Sequence, residues 1–304
     1  MLLDHLNWRV KTRWHARVVR GVIDTPPMIP RDDGVILFSM IGTQVVLPYL
    51  VAVKSFAVAL GRGRVVIVDD GTLTDADRAL LAHHLGQPRI IPIASVDTGP
   101  CPRGGTWERL LTILDLRRDD YVIQLDSDTV TFGDVPEVAA AIDAGRSFML
   151  RGEESATLMP MSDFPATLAP EVGPRVHIQH AIEMRMDAIA LPGVARPLYA
   201  RGCSGFAGFA PSRGGRALAE AFSLQAQAML GPRWAEWGTE QVTSNVVIAN
   251  SGDPLLLPYG RYLNFWGEAL PADRRFVHFV GTCRFDGRVY LDATNNAIRA
   301  LSAA

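Results

Sequence analysis

Short apolar runs and helix-spaced stretches alternate along the first 125 residues. Val35-Ile-Leu-Phe-Ser-Met is a strand-length run with no polar face, as expected of a strand buried on both sides. Arg64-Val-Val-Ile-Val-Asp, Arg89-Ile-Ile-Pro-Ile and Tyr121-Val-Ile-Gln-Leu repeat it. Between them, residues 47–60, 74–85 and 107–116 read as helices, the second opening on Thr74 as an N-cap candidate. Strands alternating with helices predict βαβ units and a mostly parallel sheet. Ligands of such sheets bind beyond the carboxyl ends of the strands. The polar groups found there are Gly42-Thr43, Asp69-Asp70 and Asp126-Ser127-Asp128.

The second half is less regular. Residues 151–200 are rich in Pro, Met and polar residues and show no period, and residues 201–209 are a Gly-rich apolar run. Residues 216–230 and 240–249 read as helices, 275–280 as a strand and 295–304 as a frayed helix. Near the start, residues 2–22 set Trp8, Val10, Trp14, Val18 and Val19 among five cations and read as a helix stopped by Pro26, Pro27 and Pro30. That helix is expected to pack on its own domain or on a second copy in a homodimer. The sharper alternative is peripheral contact with an anionic membrane face. The expected division is a basic N-terminal helix (1–30), one large α/β domain (31–285, with halves 31–150 and 151–285) and a tail (286–304).

Composition narrows the class. At 304 residues, 48% hydrophobic and 20% charged, the chain can bury a core without staples, which excludes whole-chain disorder and disulfide scaffolds. A net charge of −2 leaves no basic field for nucleic acid. Lys11 and Lys54 are the lysines and arginine makes up the rest of the 30 basic residues, which argues against chemistry needing a catalytic lysine. Cys101, Cys203 and Cys283 form no C-x-x-C pair and are expected to be reduced thiols in the cytoplasm. No secretory leader is read at the N-terminus. The most apolar stretch, residues 45–60, contains Pro48 and Lys54 and falls short of the ~20 residues that span a bilayer. A soluble protein is expected.

The strongest chemical signal is Asp126-Ser127-Asp128 at the end of an apolar strand. Residues i and i+2 of a strand point to one side, so the two carboxylates converge, and a divalent hard cation relieves their repulsion while sharing its shell with substrate phosphates. The plain alternative is a pair of solvated turn aspartates. A phosphohydrolase reading is met literally by Asp126-Ser127-Asp128-Thr129-Val130, but the motif lies far from the chain start and both lysines precede it. His177 and His180 are spaced as a metal pair on one helix face, with nothing to complete the site.

The resemblance extends beyond this tripeptide. Trp107-Glu-Arg-Leu-Leu-Thr-Ile-Leu-Asp-Leu followed by Tyr121-Val-Ile-Gln-Leu-Asp-Ser-Asp-Thr-Val resembles the helix-then-strand passage of GT-A fold glycosyltransferases, family 8 and its relatives. Arg109 matches the basic residue before their D-x-D. Glu240-Gln241 with Asn245 is similar to their acidic-Gln pair, and His278-Phe-Val-Gly281-Thr-Cys-Arg284 to their closing His-x-x-Gly-x-x-Lys, with arginine in place of lysine. The motifs follow the family order over residues 35 to 285. The resemblance implies an α/β GT-A fold, Rossmann-like with a mostly parallel mixed sheet. It implies transfer of a sugar from a nucleotide-diphosphate donor, with UDP and retention favoured.

It also implies roles. Asp126, Asp128 and His278 would hold Mn²⁺ or Mg²⁺, and Arg284 and Arg109 would lie near the diphosphate, with Ser127 and Gly281 within the same motifs. An acid at Asp69 or Asp70 would meet the base or ribose, and Gly42 and Thr43 are placed to approach the nucleotide, a plain βα turn being the alternative. Glu240 and Gln241 would face the reacting sugar, Glu240 either as general base on the acceptor or in a retaining site. Residues 151–200 are expected to shape the acceptor pocket. A GT-A-like protein that binds nucleotide without turnover is the competing class.

Overall fold

A computed structural model describes residues 11–169 and 176–303. In chain order its elements are α1 (residues 11–18), β1 (Val35–Ile41), α2 (Val46–Leu60), β2 (Arg64–Asp69), α3 (Asp75–Leu85), β3 (Arg89–Pro92), α4 (Trp107–Leu116), β4 (Tyr121–Leu125), β5 (Thr129–Thr131), α5 (Pro136–Asp143) and β6 (Phe148–Arg151). There follow β7 (Met159–Pro160), α6 (Ile178–Glu183), β8 (Leu198–Tyr199), β9 (Gly202–Phe209), α7 (Ala217–Leu230), α8 (Thr239–Ala249), β10 (Leu255–Leu256), β11 (Tyr262–Asn264), β12 (Phe276–His278) and α9 (Val289–Ala303). This is an α/β protein with a seven-stranded, mostly parallel sheet flanked by helices. Two compact units share the chain: Met1–Pro92, Gln124–Ala139 and Pro258–Ala304 form the first, Ile93–Ile123 and Ala140–Leu257 the second. Residues 31–150 and 151–285 thus each contribute to both.

In the first unit β1 pairs parallel with β2, Ile41 opposite Asp69, and β2 pairs parallel with β3. Val35 to Phe38 are at most 1% exposed, which explains why the run lacks a polar face. A second, three-stranded sheet runs in the order β11-β12-β5. Helix α2 buries Tyr49, Leu50, Val53 and Phe56 completely. The stretch Thr43–Leu60 is long and apolar enough to cross a membrane by length and composition, and 56% of it is buried inside the protein. Lys54, within it, is buried and donates to Thr25 and to His84 Nδ1 (3.1 Å). Helix α3 opens on a capping box between Thr74 and Asp77 and closes on Gly86 at φ +67°.

The N-terminal helix is described from residue 11; Trp8 and Val10 lie outside the described residues. It runs into a 3₁₀ turn at Val19–Asp24 that buries Val19 and Val22, and His15 Nε2 hydrogen-bonds Thr294 of α9 (3.0 Å). Helix α9 starts six residues before the expected frayed segment. It buries Tyr290, Ala293, Thr294, Ala297, Ile298 and Leu301, a stripe at helical spacing.

In the second unit the Gly-rich run is strand β9, antiparallel to β6, while β10 pairs parallel with β6. Gly208 lies opposite Phe148, and a Cβ there would stand 2.2 Å from the Phe148 ring. The small residues that hide this strand in the sequence are the ones that admit its large neighbours.

Candidate active site

The first unit gathers the acidic motif through its small sheet. Strand β4 ends at Leu125, whose carbonyl accepts from Ser39 Oγ (2.7 Å), and the chain turns through Asp126-Ser127-Asp128 into β5. Strand β5 is antiparallel to β12 with Thr129 opposite His278, and the Phe279 amide donates to the Asp128 carbonyl (2.8 Å). Two aspartates and a histidine from distant positions thereby meet. One ligand atom each from Asp126, Asp128 and His278 lies within 4.8 Å of the others. Among the described residues, His177 and His180 belong to no such group; His177 instead caps α6.

The surroundings of this corner fit a divalent cation. Strand β11 pairs with β12 so that Asn264 stands opposite His278, and His278 Nδ1 lies 2.9 Å from Asn264 Oδ1. Donation from Nδ1–H to that oxygen leaves the Nε2 lone pair turned toward Asp128 Oδ1, 3.3 Å away. Two acceptors at that separation need a cation between them, a proton or a metal ion. Arg284, on the turn Gly281–Phe285, donates to Asp128 Oδ2. Asp128 is 8% exposed; burial pushes its carboxyl up, but His278 and Arg284 hold it below the usual carboxylate range. An O, O, N donor set with an ionised carboxylate is what Mn²⁺ and Mg²⁺ accept.

The ends of β1 and β2 bring Gly42, Thr43, Asp69 and Asp70 together. Asp69 is buried; it pairs with Arg78 and accepts from the amides of Gly71 (2.8 Å) and Leu73 (3.2 Å), so it builds the turn. Asp70 is exposed and accepts from Thr72. Gly42 is fitted against it, since a Cβ would lie 2.1 Å from an Asp70 oxygen. Thr43 Oγ1 donates to Asp77 Oδ2 (2.7 Å) and thus ties β1 to the start of α3.

The second unit holds a buried polar cluster of its own. Arg109 Nη2 donates to Glu240 Oε2 and to Ser204 Oγ, each at 3.0 Å, with both charged side chains nearly inaccessible. Gln241 Oε1 accepts from the Ser204 amide (3.0 Å), and Asn245 Nδ2 donates to the Gly202 carbonyl (3.1 Å). The guanidinium placed near a diphosphate by resemblance is thus found on a carboxylate. Thr106, which the sequence did not single out, donates to Glu240 Oε2 (3.0 Å) from a backbone at φ +74°. A β-branched residue rarely adopts that conformation, and such strain gathers at functional sites.

No protein-family profile matches the sequence, and no curated protein matches it. Solved structures do. The bifunctional glycosyltransferase WbbM aligns at a TM-score of 0.52 and 12% identity over 91% of this chain and 53% of its own, so the chain spans about half of WbbM's length. The galactosyltransferase LgtC, in complex with donor and acceptor sugar analogues, aligns at 0.50 and 12% identity over 86% of this chain and 95% of its own. An active-site mutant of LgtC aligns at 0.51. The chain has the fold of GT-A glycosyltransferases.

Proposed function

We propose that the protein is a metal-dependent glycosyltransferase that moves a sugar from a nucleotide-diphosphate sugar, UDP-linked by preference, to an acceptor. The carrying observation is the Asp126–Asp128–His278 corner, with Asn264 fixing the histidine tautomer and an ionised, buried Asp128. These three residues would hold Mn²⁺ or Mg²⁺. Bound there, the ion would supply Lewis-acid charge to a leaving diphosphate, where negative charge would grow as the anomeric C–O bond breaks. Arg284 has a planar guanidinium next to the same carboxylate and can hold a phosphate oxygen as well as a lysine would. Retention is the favoured stereochemical course by resemblance.

The second unit's cluster is read as sugar-handling. Arg109 pairs with the buried Glu240 carboxylate, and Ser204 orients Gln241. Arg109 is therefore assigned to Glu240 as a positioning residue.

The test is thermal stability with UDP, GDP, CDP and ADP, each with and without Mn²⁺. Saturating ligand at about 100 times its dissociation constant adds about 2.7 kcal/mol. The reading expects a large shift with one nucleotide and only with metal, and slow donor hydrolysis when no acceptor is added. A nucleotide shift without hydrolysis indicates a binding protein, and no metal-dependent shift removes the assignment of the triad.

A further inference from the structure

A cleft of about 460 Å³ lies within the second unit, where the loop between β9 and α7 and the residues after α8 meet Arg117. None of its lining residues belongs to the metal triad or to the Arg109–Glu240 cluster. Arg117 follows α4 and is 4% exposed. Its guanidinium donates from Nη1 to Ser251 Oγ (3.3 Å), while Nε is buried with no acceptor. Among the described residues no carboxylate pairs with it, and burial lowers its pKa to about 10. Asp115 binds Arg216 and Asp253 binds Arg146, while Glu220, in the first turn of α7, acts on Arg216 and has its carboxylate toward Gly99. A buried cation without a counter-ion is costly, and its cost falls when an anion enters beside it.

The loop supplies further donors. Strand β9 leads through Pro211-Ser-Arg-Gly-Gly215 into α7, a helix of 14 residues whose N-cap, Arg216, gives no side-chain cap. The Ala217 amide donates to the Gly214 carbonyl (3.3 Å), and the following amides of the first turn carry the positive end of the helix dipole at the cleft, where Ala217 and Leu218 form part of the wall. Ser212 Oγ accepts from the Gly214 amide (3.3 Å), so its hydroxyl proton can point at a ligand. Gly215 stands at φ +54° with open space where a Cβ would be. A glycine-rich strand-to-helix loop, uncapped helix amides and a buried arginine are together the donor set a phosphate takes.

We propose that this cleft binds a small phosphate monoester. The phosphate lies on Arg117, Ser212 and the Leu218 and Ala219 amides of the first turn of α7. The organic part lies along Pro192, Pro211 and Leu218. A cleft of this volume falls in the range of small-molecule sites and exceeds what inorganic phosphate alone would fill.

The experiment uses the full chain in EDTA, so that the metal triad is stripped. Inorganic phosphate and glucose 6-phosphate are titrated against chloride at matched ionic strength, with thermal stability and ³¹P line width as readouts. The proposal expects saturable binding of both, with the ester at least ten-fold tighter. Arg117→Gln and Ser212→Asp should each weaken binding at least ten-fold. Ser212 is on a half-exposed loop, so S212D remains a fair test even where R117Q fails to fold. Its carboxylate would take the anion's place and raise the melting temperature without ligand. No saturable response, or a response unchanged in S212D, overturns the site. Equal affinity for phosphate and ester overturns the monoester assignment.

Discussion

Asp128 serves two neighbours at once, His278 Nε2 beside one oxygen and the Arg284 guanidinium on the other. Replacing it with asparagine keeps the shape and removes the charge. Asp128→Asn is therefore expected to abolish the Mn²⁺-dependent stabilisation by nucleotide while the fold persists, read by titrating Mn²⁺ at fixed nucleotide. Asn264 acts one step further out. Asn264→Ala frees the His278 ring to turn or change tautomer and should weaken metal binding by roughly 10–100-fold, the usual cost of losing such a partner. Isothermal titration with Mn²⁺ measures it, and unchanged affinity would show that the register of β11 and β12 does not serve the metal. The aspartates were legible because a D-x-D at a strand end has one direction to point, and His278 through the resemblance of the stretch from His278 to Arg284 to the family's closing motif. Asn264 was not, because only the pairing of β11 with β12 brings it to His278. Thr106 was hidden for another reason: its significance is a backbone angle, which a residue type does not announce.

At the scale of elements, what the sequence revealed depended on side-chain size. Strands β1, β2 and β4 and helices α2, α3 and α4 were legible because large apolar residues mark them. Helix α3 also carries its own start signal, and its cap has a measurable worth. Thr74→Ala removes the side-chain half of the capping box and is expected to cost about 1 kcal/mol, seen as a lower denaturant midpoint with an unchanged m-value. Strand β9 shows the opposite case. Its three glycines and one alanine give no alternation because nearly every position is buried, and the smallness of Gly208 is forced by Phe148. Gly208→Ala pushes a methyl into that ring and should destabilise by about 1–3 kcal/mol, although alanine is the better residue for an unconstrained strand. A neutral G208A would mean that β6 and β9 can separate without cost. Helix α5 has few large residues to mark its face, and β6, Phe148-Met-Leu-Arg151, is too short to show a period although three of its residues are large and apolar.

For the molecule as a whole, acid sensitivity should come from two buried histidines of the first unit rather than from surface charge. His84 accepts a hydrogen bond from the buried Lys54, and its pKa is lowered to about 4 by burial, by Lys54 and by His83. His15 stacks on Tyr290 with ring centroids 4.2 Å apart, and burial and the nearby Arg284 lower its pKa to about 4 as well. In the unfolded chain both would titrate near 6.5. Between those values the unfolded state binds more protons than the folded one, so stability falls as pH drops from about 6.5 to about 4. Below that, these two groups add nothing more. Each displacement is worth roughly 3 kcal/mol, so together they remove a large share of an ordinary domain's stability. Lys54 acts in the alkaline range: burial lowers its pKa to about 8, so stability should rise as pH climbs from there toward its unfolded value. Urea unfolding from pH 7.5 to 4 in EDTA measures the acid limb. His15→Phe keeps an aromatic ring against Tyr290 and gives up the bond to Thr294, so it should lower stability at pH 7.5 while flattening the acid slope by about half. A slope unchanged in H15F would assign the acid loss to other groups, and a slope absent from the parent protein would show that both imidazoles protonate without opening the core.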